Sequence, residues 1–220
     1  MKPEAFTPWS VVITADQRGS RRSADLVPEA LDVLSHYPSS LGPERTAGDE
    51  IQILFRDAQP ALEAVRHLVR LGQWRLGIGL GTVSTPLPGD IREARGAAFV
   101  AARSAIEAAH AQPSGMALAT PSGFVGAARY RGDTTRDGMA REAWAVLVLL
   151  HQVWSRRSQE GWEVTERMRH ASSAAQIAHD LGVSPSAVSQ RLRAAGWQAA
   201  SLGEDLLVVQ LGRLMGCDAS

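Results

Sequence analysis

The sequence predicts an α+β protein in which a segment of alternating strands and helices precedes a segment built only from helices. Up to about residue 137, short apolar runs typical of strands alternate with longer runs whose apolar residues recur every three to four positions. After Gly132 and Asp133 the strand-like runs almost vanish. The composition, 45% hydrophobic and 21% charged, is ordinary for a globular protein. We therefore predict an α+β sheet domain over residues 1–137, a connecting helix over 138–158 and an all-α domain over 159–220.

The first segment has the order βαββαβα, and turn residues mark the ends of its elements. Pro38 stops the first helix and Gly72 stops the second. The Gly48-Asp49 pair lies between two extended runs, which is the pattern of a hairpin. The predicted elements are, in order, a strand over Trp9–Ala15, a helix over Ser23–Tyr37, a hairpin over Glu44–Phe55, a helix over Gln59–Leu71, a strand over Arg75–Val83, a helix over Arg92–Ala111, and edge strands over Met116–Thr120 and Gly126–Tyr130.

Three glycines alternate along the predicted strand over Arg75–Val83. Gly77, Gly79 and Gly81 form a GxGxG run. A dinucleotide-binding loop would continue into a GxxG helix start, which this run lacks. We therefore predict a strand that packs closely against another stretch of backbone.

The second segment has helical periodicity throughout. Four of the six tryptophans, Trp144, Trp154, Trp162 and Trp197, lie in this part. A small helical domain needs large side chains to close its core, so we expect these tryptophans to pack inside it. The predicted helices are Met139–Arg157, Glu160–His170, Ser173–Leu181, Pro185–Ala195 and Glu204–Met215.

Charge and cysteine content narrow the classes of protein to consider. A net charge of zero argues against a protein that coats nucleic acid without specificity. It does not exclude a protein that binds specific DNA sequences, because a local basic face is sufficient for that. The single cysteine, Cys217, leaves no internal disulfide and no cysteine metal cluster. The apolar stretch at Leu147–Leu150 is closely bracketed by charged residues, and the N-terminus lacks the pattern of a secretory signal. We expect a cytoplasmic protein with no membrane partner.

The segment from Ser172 to Arg193 carries the strongest functional pattern. Ala178 is small, as required where a second helix crosses closely over the first. Gly182 can adopt the left-handed conformation that turns the chain. Ser184 is a good N-cap, and Pro185 suits the first helical position. Ser173 and Gln176 have the spacing of a capping box, and the apolar seam between the two predicted helices contains Ile177, Leu181, Val183, Val188 and Leu192.

The outward face of the second predicted helix is polar. Serine and glutamine can hydrogen-bond base edges or phosphates, and arginine can bind guanine or phosphate with two donors. We predict contacts to the major groove of double-stranded DNA, and the alternative is a helical hairpin with an ordinary polar surface. The segment resembles the helix-turn-helix of sigma-factor region four and related regulators. The predicted DNA-binding residues are Ser184, Ser186, Ser189, Gln190, Arg191 and Arg193.

Further arginines precede this segment. They could bind phosphates, or they could belong to a solvated surface on which Glu160, Glu163 and Glu166 neutralise them. The sequence leaves both interpretations open. The residues concerned are Arg156, Arg157, Arg167 and Arg169.

Two carboxylates of the first segment are predicted to lie at neighbouring strand ends. Asp16 follows the first strand and is succeeded by a loop with Arg18, Arg21 and Arg22, while Asp49 lies in the predicted hairpin. Such a set could hold a divalent metal and a phosphate group. Aspartates at strand ends are also common turn residues, which is the alternative.

The same residues resemble the motifs of class III nucleotidyl cyclases. The run 16–20 is similar to their first metal-binding motif, and the run 47–51 to their second-metal hairpin and to the GGDEF signature of diguanylate cyclases. Arg45 stands where cyclases commonly carry a base-reading lysine, and runs 75–83 and 96–103 resemble two later motifs. The resemblance covers about residues 9 to 112 and implies a ferredoxin-like βαββαβ core. It also implies that Asp16 and Asp49 bind metal, with Mg²⁺ as the expected ion, and that the nucleotide-binding residues are Arg18, Arg21, Arg45 and Asp49.

Departures from the cyclase pattern predict that catalysis has been lost. The late motif of a cyclase has asparagine four residues after its glycine and arginine eight residues after it, whereas this chain has Val100 and Ser104. Arg103 is one residue early and would point about 100° away on a helix. In a cyclase, the asparagine and the arginine of this motif orient the ribose and stabilise the transition-state phosphate. Because this chain lacks both, we expect it to bind a nucleotide without cyclising it.

The whole pattern, a degenerate cyclase-like domain followed by a helix-turn-helix, resembles the SatD family. We expect a DNA-binding transcriptional regulator that forms a homodimer and places two recognition helices on a two-fold site. A nucleotide bound near Asp16 and Asp49 would change the spacing of the two recognition helices through the predicted helix over Met139–Arg157. The alternatives are an active nucleotidyl cyclase with a DNA-binding appendage, and a first domain that serves only as a dimerisation scaffold.

Overall fold

A computed structural model describes residues 8–20, 22–126, 135–170 and 173–216. These residues form one mixed six-stranded sheet and eight α-helices, so the predicted α+β class is confirmed. The strands are β1 (Ser10–Gln17), β2 (Leu41–Ala47), β3 (Glu50–Phe55), β4 (Trp74–Gly81), β5 (Met116–Thr120) and β6 (Gly123–Phe124). The helices are α1 (Val27–Ser35), α2 (Ala58–Leu71), α3 (Ala97–Ala109), α4 (Arg136–Trp154), α5 (Gln159–His170), α6 (Ala174–Leu181), α7 (Pro185–Ala194) and α8 (Trp197–Met215).

The strand order is β2-β3-β1-β4-β5-β6. Neighbouring strands are antiparallel except for β4 and β5, which are parallel. Two parallel neighbours cannot be joined by a tight turn, and α3 supplies the long connection between them. The first strand lies inside the sheet, between β3 and β4, so its end is enclosed by residues from both.

Alternation along β1 separates two hydrophobic layers. Val11, Ile13 and Ala15 belong to the main core, which also includes side chains of α1, α2, α4 and α8. Val12 belongs to a smaller core on the other face, together with Ala98 and Ala102 of α3. The period of two along a strand produces this division, because successive side chains point to opposite faces.

The glycine-rich strand β4 is overlaid closely by α3, as the GxGxG run predicts. A β-carbon on Gly79 would lie 2.2 Å from the backbone nitrogen of Ala102, and one on Gly77 would lie 2.4 Å from that of Ile106. Gly81 has a similar environment, with the nitrogen of Ala98 at 2.8 Å. The glycines therefore allow a helix backbone to rest directly on the sheet.

Two predicted helices are shorter in the structure, and each has a local cause. The side-chain amide of Gln17 donates to the Ala24 carbonyl (2.7 Å) and accepts from the Leu26 nitrogen (2.9 Å), which fixes this stretch outside a helix. Consequently α1 begins at Val27. Gly96 has φ 141°, a conformation outside the helical region, so α3 begins after it rather than at Arg92.

Helices α4 and α8 share the main core of the sheet. Leu147 and Trp154 of α4, with Leu207 and Leu211 of α8, are buried in the same cluster as the β-strand side chains. The predicted connecting helix therefore contributes side chains to the main core from Ala140 to Trp154. The last predicted helix is also longer than expected, since α8 begins at Trp197.

Helices α5, α6 and α7 enclose a further small core formed by Val164, Ile177, Ala178, Val188 and Leu192. All four tryptophans predicted to pack do so, in this core or in the main one. Among the described residues, no helix combines the length and the apolar character needed to cross a bilayer. Most of the edge strand predicted over Gly126–Tyr130 lies outside the described residues.

Candidate functional site

The corner between α6 and α7 forms from local backbone preferences. Gly182 ends α6 with φ 63° and ψ 31°, the left-handed conformation that glycine adopts without a steric penalty. The Ser184 hydroxyl accepts a hydrogen bond from the Ala187 nitrogen at 3.1 Å, and Pro185 is the first residue of α7. The predicted turn chemistry is therefore confirmed.

At the start of α6 only half of the predicted capping box forms. The Ser173 hydroxyl accepts from the Gln176 nitrogen at 3.2 Å, as an N-cap does. The side chain of Gln176 instead donates to Asp180 at 2.8 Å, one turn further along the helix. The reciprocal bond of a capping box is thus replaced by a contact within the helix.

Packing between α6 and α7 fixes which side of α7 faces outward. Ile177, Ala178 and Val188 are almost fully buried, and Leu192 is 8% exposed. These residues lie where the sequence predicts the apolar seam. The opposite side of α7 is left to solvent, and its exposed polar residues are Ser186, Ser189, Gln190 and Arg193.

Two of the predicted DNA-binding side chains, Ser184 and Ser189, already have hydrogen-bond partners in the folded chain. The Ser189 hydroxyl donates to the Pro185 carbonyl at 3.0 Å. Arg191 is half-buried beside a cleft of about 370 Å³ that Arg156 and Glu160 also line. The pKa of Glu160 is lowered by its own backbone N–H, by Ser158 and by the charge of Arg191. Gln190 and Arg193 are therefore the freest long polar side chains of this face.

The structure separates the four additional arginines into two pairs. Arg157 is 8% exposed, donates to the Ala195 carbonyl at 2.9 Å and lies 4.8 Å from the Trp162 ring. Burial lowers its pKa to about 10. Arg169 binds Glu204 at 2.5 Å. These two side chains stabilise the fold, whereas Arg156 and Arg167 remain exposed.

The end of β1 holds the carboxylate site. Asp16 lies directly across the sheet from Arg75, whose guanidinium reaches its carboxylate at 3.4 Å. Burial raises the pKa of Asp16, and the nearby charge of Asp49 raises it further, against the opposing effect of Arg75. The structure therefore brings the two predicted carboxylates close enough to interact. Sequence reasoning missed Arg75 as the partner of Asp16, because its position depends on the register between β1 and β4.

Two of the predicted nucleotide-binding arginines have other partners, and the third lies outside the described residues. The Arg18 guanidinium donates to the Ser114 carbonyl at 3.0 Å. Arg45 forms an exposed ion pair with Asp25 at 2.6 Å. Arg21 lies outside the described residues. In the described part of the chain, Arg18 and Arg45 therefore bind groups other than the carboxylates of Asp16 and Asp49.

The chemistry of the carboxylate site is compatible with one small cation. Within the described ranges, no group of three or more histidine, cysteine, aspartate or glutamate side chains could hold a metal. Mg²⁺ needs fewer protein ligands, since it often keeps several waters and takes one or two carboxylates. Asp16 and Asp49 would be those ligands. The raised pKa of Asp16, caused in part by Asp49, fits a pair that a cation would neutralise.

The coupling between the two carboxylates gives a direct test. The folded pKa of Asp16 lies above 3.8, so its ionisation costs folding free energy, and that cost appears as the pH rises through the folded pKa. We expect Asp49→Asn to lower the pKa of Asp16 and Arg75→Met to raise it, as followed by NMR titration of the carboxyl carbon. Asp57→Asn, at the N-cap of α2, is the matched control and should leave it unchanged. An Asp16 pKa that is the same in Asp49→Asn as in the parent would contradict the coupling.

Comparison of the chain with protein families, with curated proteins and with solved structures found no match.

Proposed function

We propose that the chain is a sequence-specific DNA-binding transcriptional regulator in which α6 and α7 form a helix-turn-helix and α7 enters the major groove. The observation that carries this proposal is the division of α7 into a buried side, with Val188 and Leu192, and an exposed polar side, with Gln190 and Arg193. A recognition helix needs this arrangement, because its inner side must be held rigidly while its outer side meets base edges. The position of α5 beside both helices supplies the support.

The first domain of this regulator is proposed to be cyclase-like. The order β2-β3-β1-β4, with all neighbours antiparallel, supports a ferredoxin-like core, and the βαββαβ order of the elements agrees with it. The resemblance to the SatD family supports the same two-part architecture. Val100 is 73% exposed on α3, and an aliphatic side chain there offers no hydrogen bond to a ribose. This favours a domain that binds a nucleotide with Mg²⁺ over one that cyclises it.

We further propose that the chain acts as a homodimer. Helix α8 exposes Leu202, Leu206 and Val209 at successive turns, and Leu149 of the adjoining α4 is 67% exposed. Exposed apolar side chains at this spacing suit a helix-to-helix contact with a second copy. A two-fold dimer would present two recognition helices to a pseudo-palindromic site.

The test of DNA binding starts from selection of duplexes from a random pool by the full-length protein. We expect enrichment of one motif with two related half-sites. Arg193→Ala and Gln190→Ala should each weaken binding to that motif about tenfold to hundredfold, because each removes a side chain suited to base or phosphate contact. The thermal stability of both variants should equal that of the parent, since both side chains are exposed.

Arg103→Ala is the matched control, because Arg103 is an exposed arginine on α3, in the sheet domain. It should leave the affinity for the selected motif unchanged. Selection that enriches no sequence, or affinity that survives both α7 substitutions, would contradict the proposal.

The alternative enzyme is tested separately. We expect no cyclic nucleotide when the protein is incubated with ATP or GTP and manganese. Detection of a cyclic product that disappears in Asp16→Asn would establish the active cyclase instead. Metal-dependent nucleotide binding that is unaffected by Asp16→Asn and Asp49→Asn would remove the carboxylates from the proposed site.

A further inference from the structure

A cleft of about 710 Å³ lies where the sheet meets the helices that support α6 and α7. The end of α2 and the start of β4 form one wall, and the junction between α4 and α5 forms the other. This volume is within the range of small-molecule sites, which is about 300–1,000 Å³. The cleft is distinct from the Asp16–Asp49 pair, because neither carboxylate lines it.

The lining of this cleft is cationic. Arg18, Arg70 and Arg157 contribute to it, and the described residues that line it include no aspartate or glutamate. Within the described part of the chain, none of the three arginines has a carboxylate within ion-pair distance. Positive groups gathered without negative partners favour an anionic occupant.

Several buried nitrogen atoms in the cleft also lack hydrogen-bond partners. Nε of Arg18, Nη2 of Arg157 and Nδ1 of His151 are shielded from solvent and make no hydrogen bond with the described residues. Arg157 is more than nine-tenths buried. A buried polar atom without a partner costs free energy, and a bound group can supply the missing acceptor. Burial accordingly lowers the pKa of Arg18, Arg157 and His151.

Aromatic surface lies beside these cations. Trp74 and Trp162 line the cleft, and the guanidinium groups of Arg157 and Arg70 lie 4.8 and 5.9 Å from the Trp162 ring. A ligand with a flat apolar body and a negative group would match both features of the lining.

We propose that this cleft binds a small aromatic anion, with its phosphate or carboxylate held by Arg18, Arg70 and Arg157 and its ring packed on the tryptophans, and that its occupancy changes DNA binding by α7. The second clause rests on the proposed function. The physical link is short, because Arg157 also donates to the Ala195 carbonyl at the end of α7. An anion that draws this guanidinium into the cleft would act directly on the support of the recognition helix.

Calorimetric titration of the full-length protein is the first test, with GMP, AMP, salicylate and inorganic phosphate as probes and EDTA in the buffer. We expect one of the aromatic anions to bind with a stoichiometry of one per chain, and more tightly than inorganic phosphate. Arg18→Met and Arg70→Met should each weaken that binding tenfold or more. Arg56→Met, an exposed arginine outside the cleft, is the matched control and should bind as the parent does.

Two double variants test whether the anion binds in the cleft rather than at the carboxylates. The Asp16→Asn/Asp49→Asn double variant should retain full affinity for the aromatic anion, and loss of binding there would overturn the assignment to the cleft. Absence of binding by every aromatic probe, or binding that persists in an Arg18→Met/Arg70→Met double variant, would also overturn it. Thermal melts of each variant show whether it is folded.

The proposed effect of the anion on DNA binding is tested separately. In the parent, a saturating aromatic anion should change the affinity for the selected duplex at least fivefold, and the change should disappear in Arg70→Met. An anion that binds in the cleft but leaves DNA affinity unchanged would overturn the regulatory role alone. A protein that binds the anion but no duplex would contradict the proposed function while leaving the cleft as a binding site.

Discussion

Replacing Gly79 by valine is expected to prevent the chain from folding to its native structure. A β-carbon at this position would lie 2.2 Å from the Ala102 nitrogen and 2.3 Å from the Ala98 carbonyl oxygen. Both atoms belong to the backbone of α3, which cannot move aside as a flexible side chain can. Valine adds two more carbons, so α3 would have to lift from the sheet, at a cost of more than about 4 kcal/mol. Chemical denaturation followed by circular dichroism measures the effect.

Gly89→Val is the matched substitution for this experiment. Gly89 is exposed, has a negative φ and has nothing within 4 Å of its β-carbon position. Its replacement should change the free energy of unfolding by less than about 0.5 kcal/mol, as is usual for surface positions. If Gly79→Val were as stable as Gly89→Val, the close approach of α3 to β4 would be wrong.

Glu204→Ala is expected to produce the second large loss of stability, about 3 kcal/mol. Glu204 is 6% exposed, accepts a hydrogen bond from the Trp154 indole at 3.0 Å and binds Arg169 at 2.5 Å. Its truncation would leave a buried indole N–H without an acceptor and a partly buried guanidinium without its main counter-charge. Breaking a buried pair by removing one partner is costly for this reason, whatever the net contribution of the intact pair.

Asp205→Ala is the neighbouring control, because Asp205 is exposed and should tolerate the change within about 0.5 kcal/mol. Glu204→Gln tests the role of charge, since it keeps an acceptor for Trp154 and should lose less stability than Glu204→Ala. Equal stability of Glu204→Ala and Asp205→Ala would show that the contacts of Glu204 contribute nothing. The pair also ties α8 to α5, so Glu204→Ala should increase amide hydrogen exchange in α5 and α6 before the sheet unfolds.

Features that depend on neighbouring residues in the chain could be predicted well from the sequence. The corner at Gly182 and Ser184 is one example, since a left-handed glycine and a serine cap act over three or four residues. The stop at Gly72 is another, with φ 73° at the end of α2. The close packing of backbone on β4 was also predicted correctly, because glycines at alternate positions leave no side chains to hold another segment away.

Features that depend on distant pairing could not be predicted in the same way. The helical spacing of apolar residues predicts a helix from Ser23 to Tyr37, yet the side-chain amide of Gln17 holds residues 24–26 in another conformation. The predicted pair Asp16 and Asp49 is close in space, but the partner Arg75 follows only from the strand register. Arg157 resembles any surface arginine in the sequence, and only its tertiary contacts with the Ala195 carbonyl and the Trp162 ring make it a buried donor.

The sequence by itself determined the α+β class, the succession of most elements and the turn that joins α6 to α7, because these follow from side-chain periodicity and local backbone sterics. The tertiary structure alone decided that α4 and α8 close the core of the sheet, that Arg75 reaches Asp16, and that a cationic cleft lies between the sheet and α5. The reason is that each of these joins residues far apart in the chain, whose proximity depends on packing and register rather than on the residues beside them.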